Sequence, residues 1–415
     1  MPQRYRAIVI GCGAIGAATA YWLSRRLGPG PGPVNTGPAN TASASTGPAS
    51  TGSVNPVLAL EQYELGHTLG SSEDHSRVIR HTYDRADYTA LTPAAYQSWN
   101  VAERETGLRF VHRTGGLMIA APGNAGGRKY VEAAADALAA VGLPFEPLDG
   151  AAIRQRWPQW RLTDDHTAIF DPESGILDIR RATAAHLALA RARGADIRPH
   201  TPVSAITESS GGVTVTAGGE TYAADRLVLA GGAWNPALLR MLGTSLPITL
   251  TQEQITYFAT PNVRDFTPER FTVWGVYADD GLAYYGIPVY GEVAVKAGLD
   301  GVGPVVTQQT RNQDPDPERT ERTAEFLRGY LPGAVGPELY TRVCCYDCPP
   351  DRDFIADYVP GSDRVLVCAG AGHAGKFAAL LGRVLADLAA DGATAFPVGA
   401  FRADRAFRGG IPGRM

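Results

Sequence analysis

The sequence predicts a mixed α/β (α+β) fold, with a Rossmann-like nucleotide-binding domain assembled from discontinuous segments and a β-rich second domain with a mixed sheet. Three observations predict it. A short apolar strand near the start of the chain runs into a glycine-rich turn and then an apolar helix. Similar strand–glycine patterns recur at residues 226–234 and 364–388, whereas residues 248–300 show the alternation typical of strands. A chain of 415 residues is also long enough for two hydrophobic cores.

The first strand leads directly into the pattern Gly-x-Gly-x-x-Gly. Gly11 permits a tight turn, Gly13 lets the backbone approach a pyrophosphate, and Gly16 lets the helix pack against the strand. Ala14 and Ile15 complete the turn, and the N-terminus of the helix that follows offers N–H groups and the positive end of the helix dipole to phosphate oxygens. The turn therefore predicts a dinucleotide site.

The second strand, Val57–Leu60, is followed by Glu61, at the place where dinucleotide-binding folds hold a ribose hydroxyl. Glu61 is the predicted ribose ligand; the alternative is a solvent-exposed acid at a strand end. This strand comes late because residues 28–56 consist almost entirely of Gly, Pro, Ala, Ser, Thr and Asn. Such a segment has too little apolar surface to order itself, so we predict a disordered surface insertion without a catalytic role.

The remaining elements follow from apolar periodicity and from glycine boundaries. Helices are predicted at Ala17–Leu27, Leu91–Glu105, Arg128–Val141, Arg181–Arg193 and Lys376–Leu388. Strands are predicted at Gly116–Ala121, Ala195–Arg198, around Gly211-Gly212 and Gly218-Gly219, and at Arg226–Leu229, Gln254–Ala259, Phe271–Tyr277, Leu282–Ile287, Val293–Gly298 and Arg364–Ala369. Nucleotide-type units thus lie at both ends and in the middle of the chain. We therefore predict a nucleotide-binding domain made of residues 1–90, 176–240 and 340–400, and a second domain made of 91–175 and 241–339.

Composition narrows the function classes. Hydrophobic residues make up 44% of the chain, charged residues make up 19%, and the formal net charge is −4. This charge gives no reason to expect nucleic acid or an anionic membrane as a partner. The sequence contains neither a secretory signal nor an apolar run long enough to span a membrane, so a cytoplasmic location is expected.

The five cysteines do not form the framework of a secreted disulfide-rich protein. Cys344, Cys345 and Cys348 lack a second Cys/His cluster at metal spacing, so no metal site is predicted. Cys12 and Cys368 are expected to be small buried hydrophobic residues.

Lysine is scarce in this chain. Lys129, Lys296 and Lys376 are the three lysines, and the other 35 of the 38 basic residues are arginine. A compact ammonium group can lose its proton when it is buried, whereas a guanidinium group cannot. Lys129 is interpreted as a surface residue, but Lys296 and Lys376 lie in apolar or glycine-rich surroundings and are candidate functional residues.

The sequence resembles the FAD-dependent amine oxidases of the monomeric sarcosine oxidase and N-methyltryptophan oxidase type over nearly its whole length, apart from residues 28–56. The motifs that carry the resemblance are Gly70-Ser71-Ser72, Ser76-Arg77-Val78-Ile79-Arg80-His81 with Tyr83, Gly231–Trp234, Tyr284-Tyr285-Gly286, Val295–Gly298, Val343-Cys344 and Gly370–Phe377. In this family the late glycine-rich loop lies along the flavin ring, and a dehydrogenase that uses only NAD is not expected to have it.

The resemblance implies FAD as the cofactor of an FAD-binding domain. Cys344 matches the cysteine that binds the flavin 8α-methyl group through a thioether, a bond that requires a thiolate and is favoured by a nearby positive charge. Arg77 matches a residue beside the flavin, and His373 lies in the flavin-facing loop. The FAD contacts predicted from the fingerprint and the resemblance are Gly11, Gly13, Ala14, Ile15, Gly16, Glu61, Ser72, Arg77, Val203, Gly232, Trp234, Cys344, Gly372, His373, Gly375 and Lys376.

The resemblance also implies catalytic residues. Lys296 matches the lysine that faces the flavin and promotes its reaction with O2, because a fixed cation stabilises the negative charge that develops. Arg80 and Lys376 match the pair that binds a substrate carboxylate. Tyr285 matches an aromatic residue that lines the substrate cavity.

Two departures from the family concern the substrate. Histidines commonly follow the Gly-Ser-Ser motif where this chain has Glu73 and Asp74. A histidine also often stands four residues after the lysine, where this chain has Asp300. A buried carboxylate would pair with a cationic amine or become a proton acceptor, and we include Asp300 among the catalytic candidates. For Glu73 and Asp74 the alternative is that they cap a loop.

We therefore expect a monomeric flavoenzyme that oxidises the C–N bond of a secondary or cyclic imino amino acid, with an imine and hydrogen peroxide as products. The alternatives are a dehydrogenase on the same scaffold, an NAD-dependent oxidoreductase that uses only the first fingerprint, and a flavoprotein without activity. The presence of Lys296 argues against the dehydrogenase, and Arg80, Lys296 and Lys376 together argue against an inactive protein.

Overall fold

The computed structural model describes residues 2–28, 55–72 and 74–408. The predicted insertion at 28–56 lies almost wholly outside the described residues, and so does Glu73. Within the described ranges the chain forms twenty strands and eight helices.

In chain order the first ten strands are β1 (Gln3–Ile10), β2 (Asn55–Leu60), β3 (Arg77–Ile79), β4 (Val111–Arg113), β5 (Gly116–Ala120), β6 (Glu146–Asp149), β7 (Thr167–Asp171), β8 (Gly175–Leu177), β9 (Asp196–Arg198) and β10 (Val203–Ser209). They are followed by β11 (Gly212–Ala217), β12 (Glu220–Leu229), β13 (Thr249–Ala259), β14 (Val273–Tyr277), β15 (Ala283–Ile287), β16 (Ala294–Leu299), β17 (Val305–Val306), β18 (Glu338–Cys348), β19 (Ile355–Tyr358) and β20 (Val365–Ala369). The helices are α1 (Ala14–Leu27), α2 (Ala86–Thr106), α3 (Ala125–Val141), α4 (Gly150–Arg156), α5 (Ile179–Ala192), α6 (Asn235–Met241), α7 (Pro317–Tyr330) and α8 (Ala378–Asp391).

The first sheet has a parallel centre in the order β20–β12–β1–β2–β9. Strand β11 pairs antiparallel with the first half of β12, and β10 and β19 extend the sheet at its edges. Ala7 and Val9 of β1 join the hydrophobic core on one face, whereas Ile8 and Ile10 join the core on the other. An apolar strand buried on both faces is typical of a parallel sheet, so the fold class agrees with the sequence prediction.

Helices α1, α5 and α8 cover one face of this sheet. Small residues allow α1 and α8 to approach closely, since a Cβ atom on Gly382 would come 2.6 Å from Ala18. Trp22 Nε1 donates a hydrogen bond to the Ala379 carbonyl oxygen at 3.0 Å across the same contact. The helix pair therefore holds the glycine turn after β1 close to the loop that precedes α8.

The second sheet is mixed, as predicted. Its order is β17–β13–β16–β15–β14–β5–β7–β6, with β5 and β14 parallel and the other neighbours antiparallel. Strand β18 also belongs to this sheet, because it pairs with β13 from Thr249↔Cys348 to Phe258↔Glu338. The sequence prediction assigned residues from 340 onward to the nucleotide-binding domain, so the structure differs there. A third, small sheet contains β3, β8 and β4.

Some predicted elements differ from the observed ones in extent. The predicted strand Arg226–Leu229 is the end of β12, whose first half pairs with β11. The helix predicted from Lys376 begins at Ala378, because a 3-10 turn spans Ala374–Phe377. Helix α7 and strand β18 were not predicted.

Candidate active site

A cavity of about 780 Å³ lies where the carboxyl ends of the first sheet's parallel strands meet the second sheet. The β1–α1 turn and Glu61, which follows β2, line one part of it. Lys296 on β16 and Cys344 on β18 line another part. Open α/β sheets bind ligands beyond the carboxyl ends of their strands, so this is the expected position for a cofactor.

The β1–α1 turn requires its glycines. Gly11 has a φ of +95°, which lies in the region that favours glycine. A Cβ atom on Gly16 would overlap the Gly11 carbonyl oxygen, and one on Gly13 would come 2.9 Å from Ser72 Oγ. Ser72 Oγ accepts a hydrogen bond from the Ala14 N–H at 2.9 Å. The start of α1 thus points into the cavity with Ser72 beside it.

Glu61 is held at the cavity wall by three donors. Its carboxylate accepts the Cys12 N–H at 2.9 Å and the Tyr63 N–H at 3.2 Å, and His67 Nε2 lies 3.4 Å away. Burial would raise the pKa of Glu61, but His67 and the two N–H groups hold it below its usual value. An ionised carboxylate at this place is suited to accept a ribose hydroxyl.

The middle of the cavity is lined by Val203 at the start of β10 and by the 3-10 turn Gly232–Trp234. The Arg311 guanidinium lies 4.6 Å from the centre of the Trp234 ring and donates a hydrogen bond to the Leu69 carbonyl oxygen. The ring of Tyr63 lies 5.8 Å from that of Trp234. Trp234 is therefore fixed against the segment that follows Glu61.

The second glycine-rich loop follows β20. Ala371 and Gly372 have φ values of +51° and +82°, and a Cβ atom on Gly372 would overlap the Tyr346 ring. Asp347 Oδ2 accepts the Gly370 N–H at 3.0 Å. Burial raises the pKa of Asp347 to about 6, although hydrogen bonds from the loop N–H groups oppose the rise. These contacts hold the loop backbone along the cavity wall, where a flat ring can lie against it.

The arrangement fits FAD. A helix N-terminus faces the cavity, as a pyrophosphate requires, and an ionised carboxylate stands where a ribose is bound. The residues that would hold the cofactor are the two glycine-rich turns, Glu61, Ser72 and Arg77.

Cys344 is a free thiol in the cavity wall. Burial raises the pKa of Cys344 to about 12, and the charge of Arg77 opposes this rise. Arg77 is fixed by hydrogen bonds from its guanidinium to the carbonyl oxygens of Ser71 and Ser76, both at 2.8 Å. Arg77 thus supplies the nearby positive charge that favours formation of a thioether at this thiol.

Lys296 is 2% exposed and bonds to the segment before β3. Its ammonium group donates hydrogen bonds to the Asp74 carboxylate and, at 2.7 Å, to the Ser76 carbonyl oxygen. Burial lowers the pKa of Lys296 to about 8, and Asp74 opposes that shift. Asp74, whose role the sequence left open, is therefore the ion-pair partner of Lys296.

Arg80 and Lys376 both contact the ring of Tyr83. The Arg80 guanidinium carbon lies 4.8 Å and Lys376 Nζ 5.8 Å from its centre. Lys376 also donates a hydrogen bond to the His373 carbonyl oxygen at 3.2 Å. Burial and the charge of Arg80 lower the pKa of Lys376 well below its usual value. Two cations in one buried wall form a site for an anion.

Asp300 is 7% exposed and lies 3.8 Å from the Arg352 guanidinium. Burial raises the pKa of Asp300 to about 6, although Arg352 and Lys376 oppose the shift. His373 Nε2 donates a hydrogen bond to the Arg352 carbonyl oxygen at 3.0 Å, and burial holds the pKa of His373 well below its usual value. Tyr285 lines the cavity beside these groups. Asp300 can therefore exchange a proton near neutral pH, whereas His373 stays neutral.

The structure brings the predicted site residues together in this one cavity, with the exception of Gly16, which lies behind the turn. The cavity is lined by Gly11, Gly13, Ala14, Ile15, Glu61, Ser72, Arg77, Arg80, Val203, Gly232, Trp234, Tyr285, Lys296, Asp300, Cys344, Gly372, His373, Gly375 and Lys376. Their individual roles stay predictions.

The sequence did not single out Tyr257, Asp347 or Arg352. Tyr257 occupies an ordinary aromatic position in an alternating strand. Asp347 offered one signal, since it is an acidic residue within an otherwise buried strand end. Arg352 offered none.

In the described part of the chain, no helix combines the length and apolar character needed to cross a membrane. No cluster of three His, Cys, Asp or Glu residues within the same ranges is placed to hold a metal ion.

Comparisons with known proteins match the chain over nearly its full length. The FAD dependent oxidoreductase (DAO) family matches residues 6–388. Monomeric sarcosine oxidase from Bacillus sp. (strain NS-129) is 29% identical over 409 residues, which cover 98% of both chains. N-methyl-L-tryptophan oxidase from Yersinia pestis (strain Pestoides F) is 30% identical over 402 residues, 96% of this chain and 98% of that protein.

Among solved structures, the open form of NikD, an unusual amino acid oxidase essential for nikkomycin biosynthesis, superposes with a TM-score of 0.79. The two sequences are 24% identical, and the match covers 98% of this chain and 99% of NikD. L-proline dehydrogenase from P. horikoshii also has a TM-score of 0.79, with 17% identity and coverage of 97% and 98%. At these identities the likeness shows a shared fold.

Proposed function

The chain belongs to the FAD dependent oxidoreductase family, and from this premise we propose that it oxidises the C–N bond of secondary or cyclic amino acids. The substrate would lose two electrons and two protons and become an imine, while O2 would gain them and become hydrogen peroxide. When bound, FAD supplies the redox chemistry by accepting hydride from the substrate carbon. The protein binds the acid, orients its α-carbon and accepts the amine proton.

The observation that carries the proposal is the pair of buried cations at Tyr83. Arg80 and Lys376 lie in the same wall as the second glycine-rich loop. Burial, together with repulsion from Arg80, lowers the pKa of Lys376, and a bound carboxylate would oppose both effects. A bidentate guanidinium together with an ammonium group fixes a carboxylate in one orientation, which favours amino acids over simple amines.

Asp300 supports a role for the substrate nitrogen. With a pKa raised to about 6 it can pair with a protonated amine or accept its proton near neutral pH. Secondary and cyclic amino acids carry such a nitrogen next to the carboxylate. We rank bulkier secondary and cyclic imino acids above sarcosine as substrates, because this chain has Asp300 where the sarcosine oxidase family often has a histidine.

Cys344 is the proposed site of covalent FAD attachment, supported by its exposure to the cavity and by the neighbouring Arg77. Lys296 is proposed to favour O2 as the electron acceptor, because a fixed cation stabilises the negative charge that forms during reduction of O2. A monomeric state, a cytoplasmic location and the division into FAD-binding and substrate domains complete the proposal.

The test is a substrate panel under anaerobic conditions. Sarcosine, N-methyltryptophan, proline, pipecolate and their decarboxylated analogues are mixed with the purified protein, and flavin absorbance is followed. At least one acid should bleach the flavin much faster than its decarboxylated analogue, and admission of air should yield one equivalent of peroxide. Bleaching without peroxide would instead identify a dehydrogenase, and protein without flavin absorbance would overturn the proposal.

A further inference from the structure

The Asp74 carboxylate is 1% exposed and is bonded on all sides. It accepts hydrogen bonds from Lys296 Nζ, from the Tyr257 hydroxyl at 2.5 Å, from Arg77 Nη1 at 3.2 Å and from the His75 N–H at 2.7 Å. A loop-capping acid needs only the N–H bond. The other three donors are Lys296 and Arg77, two cations that line the cavity, and the buried Tyr257 on β13.

The second sheet fixes Lys296 in this contact. Tyr257 on β13 and Lys296 on β16 are register partners in an antiparallel pair, so their side chains share one face of the sheet. Lys296 Nζ lies 5.8 Å from the centre of the Tyr257 ring, and both side chains reach Asp74 above it. The Ser76 carbonyl oxygen receives a second hydrogen bond from Lys296. The ammonium group is therefore held by an acceptor set that belongs to one loop.

The charges around Lys296 act in opposite directions. Burial and the cation of Arg77 favour the neutral amine, whereas Asp74 on the loop favours the ammonium ion. Cys344 on β18 adds no charge, because burial raises its pKa to about 12 and the thiol stays protonated. Tyr257 on β13 is the register partner of Lys296, and Tyr285 lies on β15, which also pairs with β16. Burial raises the pKa of each tyrosine well above its usual value, so both stay neutral. Asp74 is ionised, because Lys296 and Arg77 overcome the effect of its burial. It is thus the carboxylate that opposes the loss of the Lys296 proton.

We propose that Asp74 is a positioning residue that keeps Lys296 protonated and fixed in the cavity wall, and thereby sets the upper pH limit for reaction of the reduced enzyme with O2. The inference rests on the proposed function of Lys296. It adds a partner for that lysine and a regulation by pH.

The scarcity of lysine makes the protonation state directly measurable. In oxidised holoenzyme labelled with 13C-lysine, Lys129, Lys296 and Lys376 give three Cε signals, and the Lys296→Arg variant identifies the signal of Lys296. In the unsubstituted protein this signal should titrate near pH 8. In Asp74→Asn its midpoint should move down by about 1–3 pH units, as expected when an opposite charge in direct contact is removed.

Matched variants separate this effect from a general loss of buried charge. Asp347→Asn removes another buried carboxylate of the cavity wall and should leave the Lys296 midpoint unchanged. Asp74→Ser removes the same charge as Asp74→Asn with a smaller side chain and should lower the midpoint in the same direction. An unchanged midpoint in both Asp74 variants would overturn the proposal.

The functional half of the proposal is tested by stopped-flow reoxidation of the reduced enzyme over a pH series from about 4 to 10, which spans the expected midpoints of the unsubstituted protein and of Asp74→Asn. The pH at which the rate falls should move down in Asp74→Asn by the same amount as the signal of Lys296. In Lys296→Arg the fall should disappear, because a guanidinium stays charged over this range. A fall at the same pH in all three proteins would overturn this half. Should the unsubstituted enzyme form no peroxide, the function proposed above fails, while the titration still decides whether Asp74 controls the proton of Lys296.

Discussion

At Cys344 a thiol and a guanidinium meet in the wall that closes the cavity on the side of the second sheet. The thiol has no disulfide partner and is partly exposed to the cavity, and its neighbour Cys345 is buried. Burial disfavours the thiolate, and Arg77 counteracts this effect. A bond to an electrophilic carbon needs the thiolate only transiently, so a nearby fixed cation is sufficient.

We expect FAD to be attached covalently to Cys344. Acid-precipitated protein should remain yellow, and a tryptic peptide that contains Cys344 should carry the mass of the flavin. Cys344→Ser should release all colour into the supernatant, whereas Cys345→Ser, a substitution of the adjacent cysteine, should retain it. Release of the colour from the unsubstituted protein would show that attachment at Cys344 is wrong.

The second prediction concerns Arg80. Arg80→Ala should lower kcat/KM for the acid by about 2–5 kcal/mol of transition-state binding, because a buried charge pair loses one partner. This corresponds to about 30-fold to several thousand-fold in rate. The decarboxylated analogue is the control and should lose much less. If acid and analogue are slowed equally, Arg80 does not bind the carboxylate.

At the scale of elements, the tight β1–α1 turn can be tested by adding a methyl group to it. Gly16→Ala places a methyl group on the Gly11 carbonyl oxygen, so α1 has to move away from β1. We expect a loss of about 1–3 kcal/mol in unfolding free energy and a lower FAD content after purification. Gly329→Ala is the matched control, since Gly329 lies in α7 with open space around it. It should be neutral or stabilising by up to about 1 kcal/mol. Equal effects of both substitutions would contradict the tight-turn argument.

His186 on α5 is stacked between Tyr21 of α1 and Trp99 of α2, with ring centres 5.2 and 5.4 Å away. Among the described residues neither of its ring nitrogens has a hydrogen-bond partner, and burial lowers the pKa of His186 to about 3. The unfolded chain binds a proton at His186 below about pH 6.5 and the folded chain does not, so this histidine destabilises the fold as pH falls.

His186→Phe should remove this dependence. Relative to the unsubstituted protein, it should gain about 2 kcal/mol in unfolding free energy on going from pH 8 to pH 5, measured by urea titration. The exposed His200, replaced by Asn, serves as the control and should leave the pH dependence as it is. A parallel loss of stability in both proteins on acidification would argue that His186 is not the linked group.

Sequence patterns predicted those elements whose apolar period is undisturbed. Strand β1 and helix α1 are examples, because Ala7–Ile10 of the strand and most of the helix from Ala14 to Ser24 are buried. Strand β18 was missed for two reasons. Its residues change from exposed at Glu338 to buried at Cys348, so no single alternation runs through it. Its partner β13 also lies about 90 residues earlier in the chain. Pairing over that separation leaves no local signal. Helix α7 was missed because its mean hydropathy is low and only Phe326, Leu327 and two small residues are buried.

Some residues of the candidate site could be predicted from the sequence, whereas contacts between distant segments could not. Glycines required by a turn, such as Gly11 and Gly16, and residues within family motifs, such as Arg80 and Lys296, could be found from sequence. The contact of Asp74 with Lys296 could not, because it joins positions 222 residues apart through a carboxylate. From the sequence, Asp74 was expected to cap a loop, to pair with a cationic amine or to accept a proton. The structure instead pairs it with Lys296 and Arg77.

At the scale of the whole molecule, residues 28–56 are expected to be dispensable for FAD binding and for stability. Their composition predicts no packed structure, and the described part of the chain already joins α1 and β2 through contacts with β1. Deletion of residues 31–54, which spares the start of β2 at Asn55, should therefore leave FAD content and melting temperature nearly unchanged. A shortened protein that no longer binds FAD would refute the view that the segment is passive.

The cavity draws its walls from both ends of the chain. The glycine turn at 11–16 is synthesised well before strand β18 and the loop at 370–376, which follow more than 300 residues later. Strand β1 lies between β2 and β12, so it also waits for a neighbour from residue 220 onward. A nascent chain therefore cannot assemble the whole cavity until the loop at 370–376 has been synthesised. Chains that terminate before residue 370 would therefore lack one wall of the cavity, even though they contain the whole β1–α1 turn.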